Sequence, residues 1–265
     1  MIPLLQDKVA IVLGAAGCGN MAQGIVHTLL QHGAKVIAAG RNAEELVRFA
    51  GQMGCDHAVA DVTDETQLAA LAQQALDSHG GLDIAINAAG SGLLVPFLEM
   101  TREQLEELTR LQFVGSILFY QAMLRVMREG GSLIQISSAT ATIMLEDHAA
   151  YMGTKAGTEH VVRCIANEFG ARGIRANCIA PGFTVTPMTE RAAGKPGMVA
   201  AFEKEYPLGR VNTIEDIANA CAWVASDQCF MTGQTLQVNG GLTLRRNPTN
   251  AEIRASVVAG RSAGA

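Results

Sequence analysis

Short runs of apolar residues alternate along this chain with longer segments in which apolar residues recur every three or four positions. Runs this short, made mostly of valine, isoleucine, leucine and alanine, are typical of strands buried on both faces of a parallel sheet. The runs occupy residues 8–13, 34–39, 57–62, 82–90, 131–136, 174–179 and 235–238. Their alternation with helices predicts an α/β fold, a doubly wound parallel seven-stranded sheet flanked by helices on both faces.

The helical segments have recognisable boundaries. Thr63 is expected to cap a helix at residues 64–80. One or two helices are predicted over residues 103–127, and a long helix begins at Tyr151. Residues 187–209 contain several glycines and prolines and are predicted to be irregular or loosely helical. Connections of that length are often lids over active sites.

The 265 residues suffice for one α/β domain, which we place at residues 1–244, followed by a tail at 245–265. Thr249 and Glu252 have the spacing of a capping box, so a short helix is expected in the tail. The net charge of −5 argues against nucleic-acid binding. Neither a membrane span nor a signal peptide is predicted. Six cysteines without a Cys-x-x-Cys pair indicate a reduced, cytoplasmic protein without a metal site.

Tyr151 and Lys155 are four residues apart on a predicted helix and therefore share one face. An ammonium group beside a phenol favours the phenolate, so Lys155 is expected to lower the pKa of Tyr151 and make it a general acid/base. Ser138 follows a predicted strand, where its hydroxyl could donate to a developing oxyanion. Because Tyr-x-x-x-Lys occurs by chance in about half of chains this long, the alternative is a structural phenol beside a solvated lysine.

A glycine-rich segment joins the first strand to the first helix. It contains Gly14, Gly17 and Gly19, and Asn20 and Met21 begin the helical pattern. A strand, a glycine turn and a helix in succession form the context in which backbone N–H groups bind a pyrophosphate. The spacing is not the usual Gly-x-Gly-x-x-Gly, so a plain tight turn is the alternative interpretation.

The end of the second predicted strand bears on cofactor choice. An acidic residue there would bind the ribose hydroxyls of NAD, but this chain has Gly40 and then Arg41, which could pair with a 2′-phosphate. NADP(H) is therefore favoured and NAD(H) remains possible, with a solvated loop cation as the alternative role of Arg41.

Further short motifs follow the predicted strands in order. They are the turn from Gly14, Asp61-Val62, Asn87-Ala88-Ala89-Gly90, Ser138, Tyr151-x-x-x-Lys155, Pro181-Gly182-x-x-x-Thr186 and residues 232–241. Together they resemble the short-chain dehydrogenase/reductase family over residues 8–242. That resemblance implies a Rossmann-type fold and an NAD(P)(H)-dependent alcohol dehydrogenase or ketoreductase, commonly a homotetramer acting on a small molecule.

The resemblance also implies roles for the matched residues. Tyr151 would exchange a proton with the substrate oxygen, Ser138 would hydrogen-bond that oxygen, and Lys155 would bind the nicotinamide ribose. The implied cofactor contacts are Gly14, Gly17, Gly19, Asn20 and Met21 with the pyrophosphate region, Arg41 with a 2′-phosphate, Asp61 and Val62 with the adenine, Asn87, Ala88 and Gly90 with the adenosine ribose, Tyr151 and Lys155 with the nicotinamide ribose, and Pro181, Gly182, Thr184 and Thr186 with the carboxamide and phosphates.

Three positions depart from the family pattern. The glycine turn is two residues longer than usual and resembles that of the enoyl-acyl-carrier-protein reductase branch, although the Tyr–Lys spacing is of the ketoreductase type. Gln112 stands where the family usually has an asparagine that positions the lysine and a proton-relay water, so a shifted relay with Gln112 among the catalytic residues is expected. Asn239 replaces a common aspartate and is expected to affect packing rather than chemistry.

The substrate pocket is predicted to be mostly apolar, which favours a hydrophobic or cyclic secondary alcohol or ketone. Its expected lining is Leu93, Leu94, Met144, Leu145, Phe183 and Met188, with the loop at 187–209. Glu146 and His148 would either recognise a polar substituent or simply be solvated. One alternative function is a 3-oxoacyl or enoyl thioester reductase, and another is a catalytically inactive dinucleotide-binding sensor or scaffold.

Overall fold

A computed structural model describes residues 3–263 of the chain. Within this range seven strands form one parallel sheet in the order β3-β2-β1-β4-β5-β6-β7. The strands are β1 (Val9–Leu13), β2 (Lys35–Gly40), β3 (Asp56–Val59), β4 (Leu82–Asn87), β5 (Met127–Ile136), β6 (Arg175–Pro181) and β7 (Thr235–Val238). The predicted doubly wound α/β fold is confirmed.

Ten α-helices are described between residues 3 and 263. They are α1 (Met21–Gln31), α2 (Ala43–Met53), α3 (Glu65–His79), α4 (Arg102–Thr109), α5 (Gly115–Val126), α6 (Ala149–Phe169), α7 (Glu190–Ala193), α8 (Met198–Glu203), α9 (Ile214–Ala225) and α10 (Asn250–Ala263). None of them is both long and apolar enough to cross a bilayer.

Alternate side chains of β1 supply two separate hydrophobic cores, because successive residues of a strand point to opposite faces of the sheet. Val12 packs with Ile25 of α1 and Ile217 of α9 on one face. Ile11 packs on the other face with residues of α3, α5 and α6. Helices therefore cover both faces, and β1 is buried along its whole length.

The direction in which the chain crosses the sheet reverses between β1 and β4, which are neighbours although they are far apart in sequence. Such a reversal leaves a crevice beyond the carboxyl ends of the two strands, which is where open α/β sheets bind ligands. Gly14 follows β1 at this point, and Asn87 ends β4 beside it.

Several predicted boundaries changed. Asp64 rather than Thr63 caps α3, since the Asp64 carboxylate accepts hydrogen bonds from two backbone N–H groups. Strand β3 ends at Val59, so Asp61 lies beyond the strand rather than at its end. The helical stretch predicted at 103–127 consists of α4 and α5 joined by a π-helical turn.

The tail forms a full helix with the predicted cap. The Thr249 hydroxyl accepts a hydrogen bond from the Glu252 N–H at 3.3 Å. The Thr249 N–H donates to the Glu252 carboxylate at 2.8 Å, which completes a capping box. Helix α10 follows and packs mainly against α8, which belongs to the predicted lid region.

Candidate active site

The glycine turn after β1 is packed so closely that side chains would not fit. Gly14 has φ +108°, and a Cβ atom there would lie 2.9 Å from the backbone of Ala88. At the end of β2, a Cβ atom on Gly40 would lie 2.5 Å from the Cβ of Ala16. Gly19 also has positive φ, at +65°, but faces open space. Glycine is thus required twice for close packing and once for conformation.

Two amide side chains hold the turn in place. Asn20 caps α1 by accepting a hydrogen bond from the Gln23 N–H at 3.0 Å, and its own amide donates to the Gly14 carbonyl at 2.7 Å. Gln23 accepts a hydrogen bond from the Gly19 N–H at 2.8 Å and donates to Glu45 at 2.7 Å. Because the Asn20 side chain is engaged in this way, any contact of this segment with a pyrophosphate falls to the backbone of the turn.

This turn fits a dinucleotide. It lies at the N-terminus of an 11-residue helix whose first turn carries no acidic side chain, which is an electrostatically favourable place for a phosphate. It also borders the crevice where the strand order reverses. The glycines at 14, 17 and 19 allow a ligand to approach the backbone closely.

Arg41 lies at the expected adenosine end of the crevice. Its side chain is 74% exposed, and its Nη1 is 3.8 Å from a carboxylate oxygen of Asp61. Burial raises the pKa of Asp61, but hydrogen bonds from Thr63 together with Arg41 and Arg110 hold it below its usual value. A charged Asp61 therefore neutralises part of the Arg41 charge.

Other predicted cofactor residues act through backbone shape. Val62 is buried against Gly115. The Asn87 side chain is fully buried, donates to Ser116 at 3.1 Å and accepts from the Ala89 N–H at 3.0 Å. These contacts fix the turn from Asn87 to Gly90 and leave its backbone facing the crevice.

The segment after β6 folds back on itself. The Gly182 N–H donates to Asn212, and a Cβ atom on Gly182 would collide with the Tyr206 hydroxyl. Thr184 is buried and donates to the Gly182 carbonyl at 3.1 Å. The Thr186 N–H donates to the hydroxyl of Thr189 at 2.9 Å. Pro181 ends β6 beside this segment, so the four predicted residues of this motif lie together.

Tyr151, Lys155 and Ser138 meet at the carboxyl end of β5. Tyr151 and Lys155 share one face of α6, with the lysine Nζ 5.5 Å from the centre of the tyrosine ring. Lys155 is buried and donates to the Ile136 carbonyl at 2.8 Å. Ser138 follows β5, and its hydroxyl lies 2.8 Å from that of Thr140.

The expected effect of Lys155 on Tyr151 is not found in the protein alone. Burial raises the pKa of Tyr151, and the Ser138 side chain opposes that rise. Burial also lowers the pKa of Lys155 to about 8, although the nearby Cys178 and Glu159 act in the opposite direction. The net shift of the Tyr151 pKa is therefore upward rather than downward, because desolvation dominates.

Gln112 lies in the π-helical turn between α4 and α5, a local irregularity that is frequent at functional sites. Its Nε2 donates to Thr154 at 3.3 Å, while its buried Oε1 has no partner among the described residues. A Cβ atom on Gly90 would lie 3.0 Å from this Oε1 and 3.7 Å from Lys155 Nζ. An unsatisfied acceptor thus faces the same point as the lysine, where a water or a cofactor hydroxyl would satisfy it.

A cavity of about 480 Å³ is bordered by His148, Ala149 and Met152, which are near Tyr151 in the chain, but Tyr151, Lys155 and Ser138 are not part of its lining. It is lined by Phe97, Met144, Leu145, Glu146, Asp147, His148, Ala149, Met152, Asn250 and Arg254. Met144 and Leu145 of the predicted substrate residues line this cavity, Leu94 and Met188 are exposed, and Phe183 stacks on Phe202. Leu93 contributes its carbonyl to His148.

The lining of this cavity is half polar and half apolar. Five of its ten lining residues are ionisable or amide side chains. Asn250 and Arg254 come from α10, and their place in the cavity has no local sequence signal because the tail reaches it only through tertiary packing.

Comparisons with known proteins agree with this geometry. A family model described as enoyl-(acyl carrier protein) reductase matches residues 14–243. The chain is 32% identical to D-threitol dehydrogenase of Mycolicibacterium smegmatis, over 91% of this chain and 95% of that protein. It is 31% identical to 2,3-dihydroxy-2,3-dihydro-p-cumate dehydrogenase of Pseudomonas putida, over 91% and 96%. It is 32% identical to the 3-oxoacyl-[acyl-carrier-protein] reductase FabG of Haemophilus influenzae, over 91% and 100%.

Solved structures give the same result. A short-chain type dehydrogenase/reductase from Mycobacterium ulcerans superposes with a TM-score of 0.89 at 26% identity, covering 96% of this chain and 98% of that one. The relatives are named dehydrogenases or reductases, which makes this chain an NAD(P)-dependent oxidoreductase. The resemblance in the sequence motifs is thereby confirmed: the chain belongs to the short-chain dehydrogenase/reductase family.

Proposed function

We propose that this enzyme interconverts a secondary alcohol and a ketone on a hydrophobic or cyclic small molecule, with Tyr151 as the general acid/base. The observation that carries the proposal is the meeting of Tyr151, Lys155 and Ser138 at the carboxyl edge of the sheet, the edge that also carries the glycine turn. Two relatives named for threitol and for a dihydroxy-dihydro-cumate support an alcohol carbon as the reacting group.

In the oxidation direction the substrate hydroxyl gives its proton to the Tyr151 oxygen, and Ser138 hydrogen-bonds the substrate oxygen. Lys155 and the amide of Gln112 lie behind the tyrosine, where they would bind the nicotinamide ribose and the relay water. When bound, the nicotinamide cofactor accepts or supplies the hydride.

The raised pKa of Tyr151 suits ketone reduction at neutral pH, since the protonated phenol is the form that donates to a carbonyl oxygen. Alcohol oxidation needs the phenolate, so its rate should increase with pH.

The test is steady-state turnover of secondary alcohols with NADP⁺ and NAD⁺ by wild type and Tyr151→Phe. We expect kcat to fall at least about 100-fold in the variant, in line with the loss of a general acid/base. Dinucleotide affinity should be retained. A protein that binds dinucleotide but turns over no substrate would instead be the sensor or scaffold.

For the cofactor we propose NADP(H) over NAD(H), with Arg41 on the 2′-phosphate. Fluorescence titration of wild type and Arg41→Ala with NADPH and NADH tests this. Wild type should bind NADPH about tenfold tighter than NADH, because one charge-assisted hydrogen bond contributes about that much to affinity. The variant should bind the two cofactors equally well. Equal affinities for NADPH and NADH, or no effect of Arg41→Ala, would point to NAD(H), because Arg41 would then remain paired with Asp61 instead of a 2′-phosphate.

The second candidate is a 3-oxoacyl or enoyl thioester reductase. The similarity to FabG favours the 3-oxoacyl reading. Turnover of an acetoacetyl thioester well above that of cyclic ketones would establish it, and turnover of a crotonyl thioester would establish the enoyl reading.

We also propose that the chain is cytoplasmic and forms a homotetramer through the helices after Gln104 and Tyr151. Leu105 and Val114 are exposed on the first of these segments, 42% and 44% respectively. Light scattering coupled to gel filtration gives the assembly size directly.

A further inference from the structure

His148 occupies a special position next to the proposed acid/base. It lies directly before α6, and its ring stacks on Tyr151 with 4.3 Å between ring centres. Only 9% of the residue is exposed, and it lines the cavity together with Glu146, Asp147 and Arg254. The imidazole therefore borders both the Tyr151 ring and the cavity.

The hydrogen bond of His148 fixes which nitrogen carries the proton. Nδ1 lies 2.7 Å from the Leu93 carbonyl oxygen, which can only accept. Nδ1 is thus the donor. Burial lowers the pKa of His148 below its ordinary value, so the ring is neutral at pH 7. In the neutral ring the other nitrogen, Nε2, has a free lone pair.

Nε2 is available to a ligand. No hydrogen bond joins it to another residue in the range 3–263, and it is not among the fully enclosed polar atoms of that range. The neighbouring carboxylates are also acceptors, and Asn250 already donates to both of them, to Glu146 from its backbone at 2.6 Å and to Asp147 from its side chain at 2.7 Å. Arg254 is the cation of the cavity. Beside Tyr151 the wall therefore presents an unpaired acceptor.

We propose that His148 Nε2 accepts a hydrogen bond from a second hydroxyl of the substrate, on a carbon next to the one that is oxidised. The preferred substrate is then a vicinal diol, or the matching hydroxyketone in reduction. A carbonyl, ether or carboxylate at that place has no proton to donate and would meet the lone pair unfavourably. This inference rests on the proposed function of Tyr151, and it deepens that function by naming the substrate class.

The experiment compares two alcohols with one skeleton, 1,2-cyclohexanediol and cyclohexanol, as the ratio of their kcat/KM values. His148→Phe keeps an aromatic ring against Tyr151 but removes the acceptor. We expect the ratio of the two kcat/KM values, diol over alcohol, to fall roughly fivefold, because one neutral hydrogen bond is lost. His148→Gln restores an acceptor and should recover part of the ratio. His160→Phe makes the same change at an exposed position of α6 and should leave the ratio at its wild-type value.

A ratio near one in wild type would overturn the inference, as would an equal loss on both alcohols in His148→Phe, which is the sign of a purely structural ring. If His148→Phe does not fold by thermal unfolding, the wild-type ratio and His148→Gln decide. Failure of the proposed function looks different: wild type would oxidise neither alcohol, nor any other secondary alcohol, and the inference would fail with it.

Discussion

The two halves of the carboxyl edge of the sheet are held together by different means. The dinucleotide half, around β1, β2 and β4, depends on backbone atoms in direct contact, such as Gly14 against Ala88 and Gly40 against Ala16. Buried amide side chains then fix the turn. Such packing leaves almost no freedom to change a residue.

The substrate half depends on side chains of the tail. Asn250 holds the loop after β5 through Asp147, and Arg246 pairs with both Glu252 and Glu205, the latter at 3.3 Å. Ser256 donates to the Gly197 carbonyl at 2.8 Å, beside α8. One segment thus contacts both the loop after β5 and the start of α8. It lies beyond Thr243, where the family match ends.

Lys155 lies where the two halves meet, and replacing it should give the largest effect on stability. The pKa of Lys155 is about 8 in the folded protein and 10.5 ordinarily, so between these pH values the unfolded state binds more protons. Stability contributed at this site therefore rises with pH across that window. Lys155→Met removes this pH dependence. The free energy of unfolding of the variant, relative to that of wild type, should therefore fall by about 3 kcal/mol between pH 7 and pH 11.

Urea unfolding of both proteins at several pH values measures this difference. Lys35→Met is the matched control, since Lys35 is exposed at the start of β2. Parallel stability curves for wild type and Lys155→Met would mean that the ammonium is well solvated, and that the junction between the halves is open to water.

Gly40→Ala tests the packing of the dinucleotide half. The new Cβ would lie 2.5 Å from the Ala16 Cβ, so either β2 or the glycine turn must move. We expect a loss of stability of about 1–3 kcal/mol. The dinucleotide Kd should rise at least about tenfold, because a shifted turn that weakens binding by about 1.4 kcal/mol lowers the affinity tenfold. Gly51→Ala is the control, since Gly51 faces open space within α2 and alanine is the better helix former. Wild-type affinity in Gly40→Ala would show that the turn adapts easily.

The sequence predicts the dinucleotide half well because its determinants are local. A buried strand, a glycine turn and a helix follow one another directly. Tyr151 and Lys155 are also local, since four residues make one helical turn. Local patterns do not show how deeply a residue is buried. The pKa of Tyr151 is raised where the sequence predicts a lowered value, because desolvation depends on the whole fold.

The contacts of the tail were not predicted, for a related reason. Asn250 reaches Asp147 across 103 positions of the chain, and no spacing rule connects them. Asn250 and Arg254 therefore line the cavity without any local signal in the sequence. The cap of α3 shows the same limit on a small scale: Thr63 and Asp64 both suit a cap, and the carboxylate that accepts two N–H groups occupies it.

Asn250→Ala tests the substrate half, with the smallest expected effect. It removes the hydrogen bond to Asp147, a non-glycine residue held at φ 62° whose carbonyl accepts the Val95 N–H at 2.8 Å. A residue in that conformation needs support from its surroundings. We expect the substrate KM to rise roughly fivefold, the equivalent of about 1 kcal/mol, because the loop that carries His148 relaxes.

If the two halves are independent, a second result is expected for Asn250→Ala. The dinucleotide Kd should not change, since none of the contacts that fix the glycine turn involves the tail. Ser262→Ala, at the exposed far end of α10, is the control for altering the helix itself. Fluorescence titration and steady-state kinetics on the three proteins separate the two constants. If KM and the dinucleotide Kd rise together, the tail supports the whole crevice, and the independence of the two halves is wrong.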